Sequence, residues 1–244
     1  MSDTAAQIMA KLPLCQPEEL IGNRHVLVIA PHPDDESLGC GGLLAWAAAT
    51  GHQPRVLFLT DGESSHPGSA AFPPERLGLV RRTEAIAACR SLGMARTDVT
   101  FLGLPDAGLS ALCRVDKGET IQAIRDWISL AGPAAVCVTA SAESHGDHVA
   151  AYQLVKNALK GLRQHRFFSY PVWTWLQPGD TSSLPVEGWR IDVAAFHKQK
   201  QMAISRHASQ HGGVITDAKK AFVLPRALLE RAYQHYEVLF DDRL

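Results

Sequence analysis

Val26-Leu27-Val28-Ile29-Ala30-Pro31-His32-Pro33-Asp34-Asp35-Glu36-Ser37-Leu38-Gly39-Cys40-Gly41-Gly42 is the stretch around which the chain is organised. Val26 to Ala30 is a short, apolar, β-branched run, the pattern of a strand buried on both faces. Pro31 and Pro33 end it, because neither offers a backbone N–H to a sheet. His32, Asp34, Asp35 and Glu36 follow at once. Four ionisable groups at the end of a buried strand are costly unless something gathers their charge, and a divalent metal does so. The Gly41-Gly42 pair is then expected to open an alanine-rich helix that runs to Thr50 and stops at Gly51. An acid-rich turn between strand and helix is where open α/β sheets place their sites.

The same alternation continues outward. Strands are expected at Arg55–Thr60, Val99–Leu102, Ala134–Thr139, Phe167–Trp175 and Trp189–Val193. Helices are expected at 77–92, 119–130, 149–162, 197–205 and 225–240, with loops at 64–76 and 177–189. Residues 1–24 read as a lead-in with a short helix near Ala5 to Lys11, and residues 25–244 as one domain. Strands alternating with helices predict a single-domain α/β, Rossmann-like fold: a mostly parallel sheet with helices on both faces.

Composition narrows the classes. The 244 residues are 46% hydrophobic and 20% charged, enough to build a core, and the net charge is −1. That balance gives no electrostatic reason to expect nucleic acid, and no apolar run is long enough to span a membrane. Cys15, Cys40, Cys89, Cys113 and Cys137 are odd in number and never spaced Cys-x-x-Cys. A disulfide framework and a zinc knuckle are therefore not expected, and a reducing, cytoplasmic setting is.

Two polar clusters end separate strands: His32/Asp34/Asp35 and His145/Asp147/His148. In a parallel sheet both lie at the carboxyl edge and can converge. His32, Asp35 and His148 then offer three nitrogen and oxygen ligands of the kind catalytic zinc takes, with a fourth position open. This leaves Asp34 beside the metal as a proton acceptor, and His145 free with Asp147 near enough to orient it. These ligands also suit Fe2+ or another divalent ion.

Pro31-His32-Pro33-Asp34-Asp35-Glu36 with Gly39-x-Gly41-Gly42 resembles the signature of the LmbE-like/PIG-L zinc N-deacetylases. The resemblance continues, in order, through Thr60-Asp61-Gly62-Glu63, Arg81-x-x-Glu84, Leu102-Gly103-Leu104-Pro105-Asp106, His145-Gly146-Asp147-His148 and Ser209-Gln210. It covers about residues 25–210. It implies His32, Asp35 and His148 as zinc ligands and Asp34 as general base. It implies His145 at the oxyanion and in proton delivery to the leaving amine, with Asp147 in support. Arg81, or its neighbour Arg82, and Asp106 are implied at the substrate. Gly146 departs from the family, where many relatives carry proline. The implied reaction removes an N-acetyl or other N-acyl group from a small molecule, such as an N-acetylglucosamine-type amino sugar. The alternatives are a non-sugar N-acyl amide and a catalytically idle ligand-binding member of the same fold. A homo-oligomer is compatible with all of these. Glu36, Cys40, Trp173 and Trp175 receive no role from the sequence, and His207 and Gln210 are expected near the closure of the pocket.

Overall fold

The computed structural model describes residues 3–115, 117–132, 134–177, 181, 184, 185 and 187–242. Much of the expected 177–189 loop, and the side chain of Cys113, lie outside the described residues. Eight strands form one mixed sheet: β1 (Leu14–Cys15), β2 (His25–Ala30), β3 (Arg55–Thr60), β4 (Val99–Leu104), β5 (Ala134–Thr139), β6 (Arg166–Tyr170), β7 (Gly188–Asp192) and β8 (Tyr236–Asp241). Their order is β1-β7-β8-β6-β5-β2-β3-β4. β8 runs antiparallel to both of its neighbours, and the other pairs are parallel.

Helices cover both faces: α1 (Ala5–Lys11), α2 (Pro17–Ile21), α3 (Asp35–Thr50), α4 (Pro74–Ser91), α5 (Leu109–Val115), α6 (Lys117–Ser129), α7 (Gly146–Leu159), α8 (His197–Arg206) and α9 (Arg226–Ala232). Alternate residues of the central strands feed two separate cores. Val26, Val28, Val56, Phe58 and Cys137 pack under α3, α4, α8 and α9. Leu27, Ile29, Leu57, Leu59, Val136 and Val138 pack against α6 and α7. Both faces being covered is the reason these strands read as unbroken apolar runs. β2 pairs with β3 on one side and β5 on the other. The chain order reverses there, so a crevice opens at the carboxyl ends of β2 and β5.

Four sequence expectations change. The first helix begins at Asp35, not at Gly41. Its glycines sit inside it because of packing. A Cβ on Gly39 would lie 2.1 Å from Tyr170 Cδ2, and one on Gly42 would lie 2.5 Å from Val193 Cβ. The strand expected through Trp175 stops at Tyr170, since Pro171 has no donor and the next three amides are captured by a side chain described below. The helix expected over 225–240 ends at Ala232, and Tyr236-Glu237-Val238-Leu239-Phe240 enters the gap between β6 and β7 as a strand. That run is rich in residues that suit a pleated, buried surface. Finally, part of the lead-in joins the sheet: Leu14 and Cys15 pair with Arg190 and Ile191, and Ala5 and Met9 pack on Val238 and Phe240. Among the described residues no helix is long and apolar enough to cross a membrane.

Gly39→Ala tests the packing account. Tyr170 is fully buried and its hydroxyl donates to Ile29 O, so it has nowhere to retreat. The variant is expected to lose about 1–3 kcal/mol in urea denaturation. Gly118→Ala, where a Cβ meets nothing within 4 Å, is expected to be neutral or to gain up to about 1 kcal/mol.

Candidate active site

Three consecutive acids leave the turn after β2 in three directions. Asp34 adopts φ 134°, a conformation that side chains other than glycine rarely take. Its carboxylate faces Arg81, whose Nη2 lies 3.1 Å from Asp34 Oδ2. Asp35 Oδ2 accepts the backbone N–H of His32 and stands 3.3 Å from both His32 Nδ1 and His148 Nε2. Glu36, fully buried, turns beneath the loop. One of its oxygens accepts Asp34 N–H at 3.0 Å, and the other faces Ser37 Oγ at 2.6 Å and His207 Nε2 at 3.0 Å. Glu36 therefore braces the strained turn and touches none of the expected ligands. His207, expected near the pocket closure, serves this brace instead.

The turn after β5 supplies the opposite wall. His145 caps α7, its Nδ1 accepting the backbone N–H of Asp147 at 3.2 Å. That bond puts the proton of the neutral ring on Nε2. The Asp147 carboxylate has other partners. It accepts Ala107 N–H and Leu109 N–H and reaches His32 Nε2 at 3.4 Å. The expected orientation of His145 thus comes from the backbone of Asp147, while its side chain serves His32. Asp106 Oδ1 meets the same His32 Nε2 at 3.2 Å, and its other oxygen accepts Ser64 N–H. His148 Nδ1 lies 3.1 Å from Glu143 Oε2. His32, His145 and His148 each bring one nitrogen within 4.8 Å of the others.

The electrostatics follow from this crowding. Burial opposes charge on His148, but Asp35 and Glu143 outweigh it and push its pKa up to about 9. His32 is likewise raised against burial by Asp106, Asp147 and Asp35. Burial alone would raise Asp35; the two histidines hold it well below the usual carboxylate range. Asp34 goes the other way. Its burial, opposed by Arg81 and assisted by Asp35, pushes it up to about 6. Burial and the charges of His32 and His148 keep His145 below the usual histidine value.

The residues gathered here are of the kinds that could hold a divalent cation, and their ligand atoms fall into two overlapping groups, His32/His145/His148 and His32/Asp106/Asp147. Ligands held about 2.0–2.1 Å from a tetrahedral centre stand about 3.3 Å from one another. The two spacings from Asp35 Oδ2 to the histidine nitrogens match that edge. The site also gathers Asp34, Asp35, Asp106, Asp147 and Glu143, with Arg81 as the one permanently charged cation in contact with any of them among the described residues.

A cavity of about 260 Å3 opens onto these groups. Its lining mixes polar residues, Ser64, Ser65, Asp106 and Gln210, with apolar ones, Leu38, Val172, Trp173, Phe222 and Leu224. Arg81 lines the cavity, but its guanidinium is buried and committed to Gly62 O, Pro33 O and Asp34. Arg82 instead reaches Asp61 and lies over the Phe101 ring, so Arg81 is the member of the pair at the pocket. Glu84 is taken by Ser209, which excludes an Arg81–Glu84 surface pair. Trp173 stands edge to face with Phe222 at the pocket, while Trp175 packs on the small core beneath α1. Cys40 is buried in the core behind the turn.

Sequence reasoning missed Glu143, Phe222 and Leu224. Glu143 had a signal, an acid at a strand end beside a ligand-type histidine. The two apolar residues lie in an irregular segment with no periodicity to mark them.

Comparison with known proteins identifies the family. The chain is 27% identical over 238 residues to the 1D-myo-inositol 2-acetamido-2-deoxy-alpha-D-glucopyranoside deacetylase of Salinispora arenicola, covering 77% of this chain and 76% of that one. The crystal structure of the conserved protein TT1542 from Thermus thermophilus superposes with a TM-score of 0.63 at 28% identity, over 89% of this chain and 94% of that one. GalB, the 4-carboxy-2-hydroxymuconate hydratase of Pseudomonas putida KT2440, shares the fold at 23% identity and a TM-score of 0.63, over 77% of this chain and 80% of that one. The PIG-L family model, described as GlcNAc-PI de-N-acetylase, matches residues 27–159. That is more than half of the chain and spans both turns of the site, so the chain belongs to the PIG-L family of metal-dependent deacetylases.

Proposed function

We propose that this protein removes the N-acetyl group from a small N-acetylglucosamine-type conjugate, with Zn2+ held by His32, Asp35 and His148. The observation that carries the reading is Asp35 Oδ2 standing 3.3 Å from a nitrogen of each histidine, with Asp34 beside it and outside that set. When bound, the cation polarises the amide carbonyl and acidifies water next to it. Asp34 accepts a proton from the attacking water, a task suited to a carboxyl raised to about 6. His145, neutral and protonated on Nε2, donates to the oxygen of the tetrahedral intermediate. Losing one such donor costs about 3–4 kcal/mol in comparable sites. A neutral imidazole is a poor source of a whole proton, so the proton taken by Asp34 passes to the leaving nitrogen. Acetate and a primary amine separate.

The substrate class rests on two supports. The family description and the Salinispora relative both name an N-acetylated glucosamine unit. The cavity of about 260 Å3 lies just below the usual range of about 300–1,000 Å3, which suits one acetylated sugar ring with the rest of the conjugate outside. Ser64, Ser65, Asp106 and Gln210 would supply polar contacts to the sugar hydroxyls, and Trp173 an aromatic surface in the same lining. Arg81 serves the substrate indirectly, by holding Asp34. The described cysteines are free, and Cys40, Cys89 and Cys137 are buried, in keeping with a reducing cytoplasm. The fold alone does not choose the reaction, since it also carries a hydratase.

Amine release from a panel of N-acetylglucosaminides and simple N-acyl amides checks the reading. Activity is expected on the sugars, lost with a chelator and restored by zinc; activity on none of the sugars removes the amino-sugar assignment. Asp34→Asn keeps the side-chain shape and tolerates the unusual φ. It is expected to bind one zinc per chain while kcat falls about 10²–10⁴-fold, whereas loss of zinc would make Asp34 a ligand. Arg81→Ala leaves a buried carboxylate without its partner and is expected to cost about 3–5 kcal/mol in urea denaturation. Arg82→Ala removes a half-exposed pair and is expected to cost less than about 1 kcal/mol.

A further inference from the structure

Glu143 sits in the turn after β5, and its side chain is completely buried. It accepts from two directions. Oε2 faces His148 Nδ1 at 3.1 Å and accepts Trp173 N–H at 2.8 Å. Oε1 accepts Val172 N–H at 2.8 Å, Thr174 N–H at 3.1 Å and the Thr174 hydroxyl at 2.6 Å. One carboxylate thus ties an imidazole at the metal position to the backbone that carries Val172 and Trp173 into the pocket wall.

The chemistry at the imidazole is specific. An ionised carboxylate has no proton to give, so Nδ1 of His148 must be the donor. That leaves Nε2, the atom facing Asp35, with a free lone pair when the ring is neutral, which is the tautomer a metal needs. The chemistry at the wall is equally constrained. Pro171 lacks an N–H, and the next three amides turn inward to Glu143 in place of a sheet partner. With Glu143 gone, the buried N–H groups of Val172 and Thr174 would be unpaired, each a cost of about 1–3 kcal/mol, together with the part-buried N–H of Trp173.

We propose that Glu143 is a positioning residue that sets the His148 tautomer and the Val172–Thr174 wall together, so that metal loading and the shape of the pocket beside Trp173 are one event. The proposal rests on the metal site assigned above. Glutamine cannot substitute. If its oxygen meets His148, its amide hydrogens point at backbone N–H groups. If its amide meets His148, it donates to Nδ1 and moves the ring proton to Nε2, blocking the ligating atom.

The test uses the purified full chain, stripped of metal and titrated with Zn2+ against a chromophoric chelator. Tryptophan emission is recorded in parallel, and the Trp173 part is isolated by comparison with Trp173→Phe. Wild type is expected to show a Trp173 emission change on zinc binding; Glu143→Gln is expected to weaken zinc binding about 10–100-fold and, at saturating zinc, to lose that change. Thr174→Val removes one donor to Oε1 and leaves the His148 bond. It is expected to shift the Trp173 response and to weaken zinc by less than about tenfold, and it carries the test if the glutamine variant does not fold. Zinc affinity within about twofold of wild type in Glu143→Gln, or in the fallback case an unaltered zinc affinity and emission response in Thr174→Val, would overturn the proposal. A wild type that binds zinc but releases no amine from any substrate overturns the deacetylase reading alone. A wild type that takes up no zinc overturns the metal site and this proposal with it.

Discussion

Burying three adjacent carboxylates at the end of a central strand is the constraint on which the site depends. Asp34, Asp35 and Glu36 cannot share one partner without strong mutual repulsion. The chain separates them instead, sending Asp34 to Arg81, Asp35 to His32 and His148, and Glu36 to Ser37 and His207. Their distant partners come from α4, from the first turn of α7 and from the C-cap of α8. The φ of 134° at Asp34 is the local strain of that separation, and the bond from its own N–H to Glu36 helps to hold it. Breaking any one partnership leaves a buried carboxylate without its partner.

This arrangement explains why the helix after the turn is rich in glycine. α3 must begin at once, at Asp35, for the acids to diverge. A helix leaving a buried strand so directly runs close against the end of β6 and the residue after β7. Tyr170 and Val193 then occupy the space where side chains at 39 and 42 would lie. The glycines, which as a sequence pattern suggest a loop opening a helix, are contact surfaces within it. Glu237 uses the same closeness, accepting the N–H groups of Gly42 and Leu43 while paired with the buried Lys200.

The parts of the fold legible in the sequence were those with strong local signals. The central strands are apolar on both faces, so their existence and their parallel pairing follow from pattern alone. Convergence of His32, Asp35 and His148 follows from placing two polar turns at one sheet edge. What was not legible depends on distant partners. Glu36 could brace the turn or touch a ligand, and the choice is made by His207, far along the chain. Glu143 looks like a solvated loop acid until Pro171 strips the following segment of a sheet partner. Tyr236 to Phe240 is helical by continuity with α9, yet the open edge between β6 and β7 draws it into the sheet, a tertiary demand that outweighs local preference.

Fold likeness to a hydratase as well as to deacetylases means that the reaction must be argued from the groups left outside the metal set. Besides Asp106, Asp147 and Glu143, which are engaged with the histidines, Asp34 and His145 also stand next to the proposed set. Each is restrained by the protein itself. Asp34 is held by a buried arginine that already bonds two backbone carbonyls and so cannot swing away with it. His145 has its Nδ1 occupied by the first turn of α7, which leaves Nε2–H as a donor with no lone pair to offer a cation. If a cation is held by His32, Asp35 and His148 as proposed, these two restraints would keep a carboxylate and an imidazole beside it as a base and a hydrogen-bond donor for an amide. A binding module has no need of either restraint.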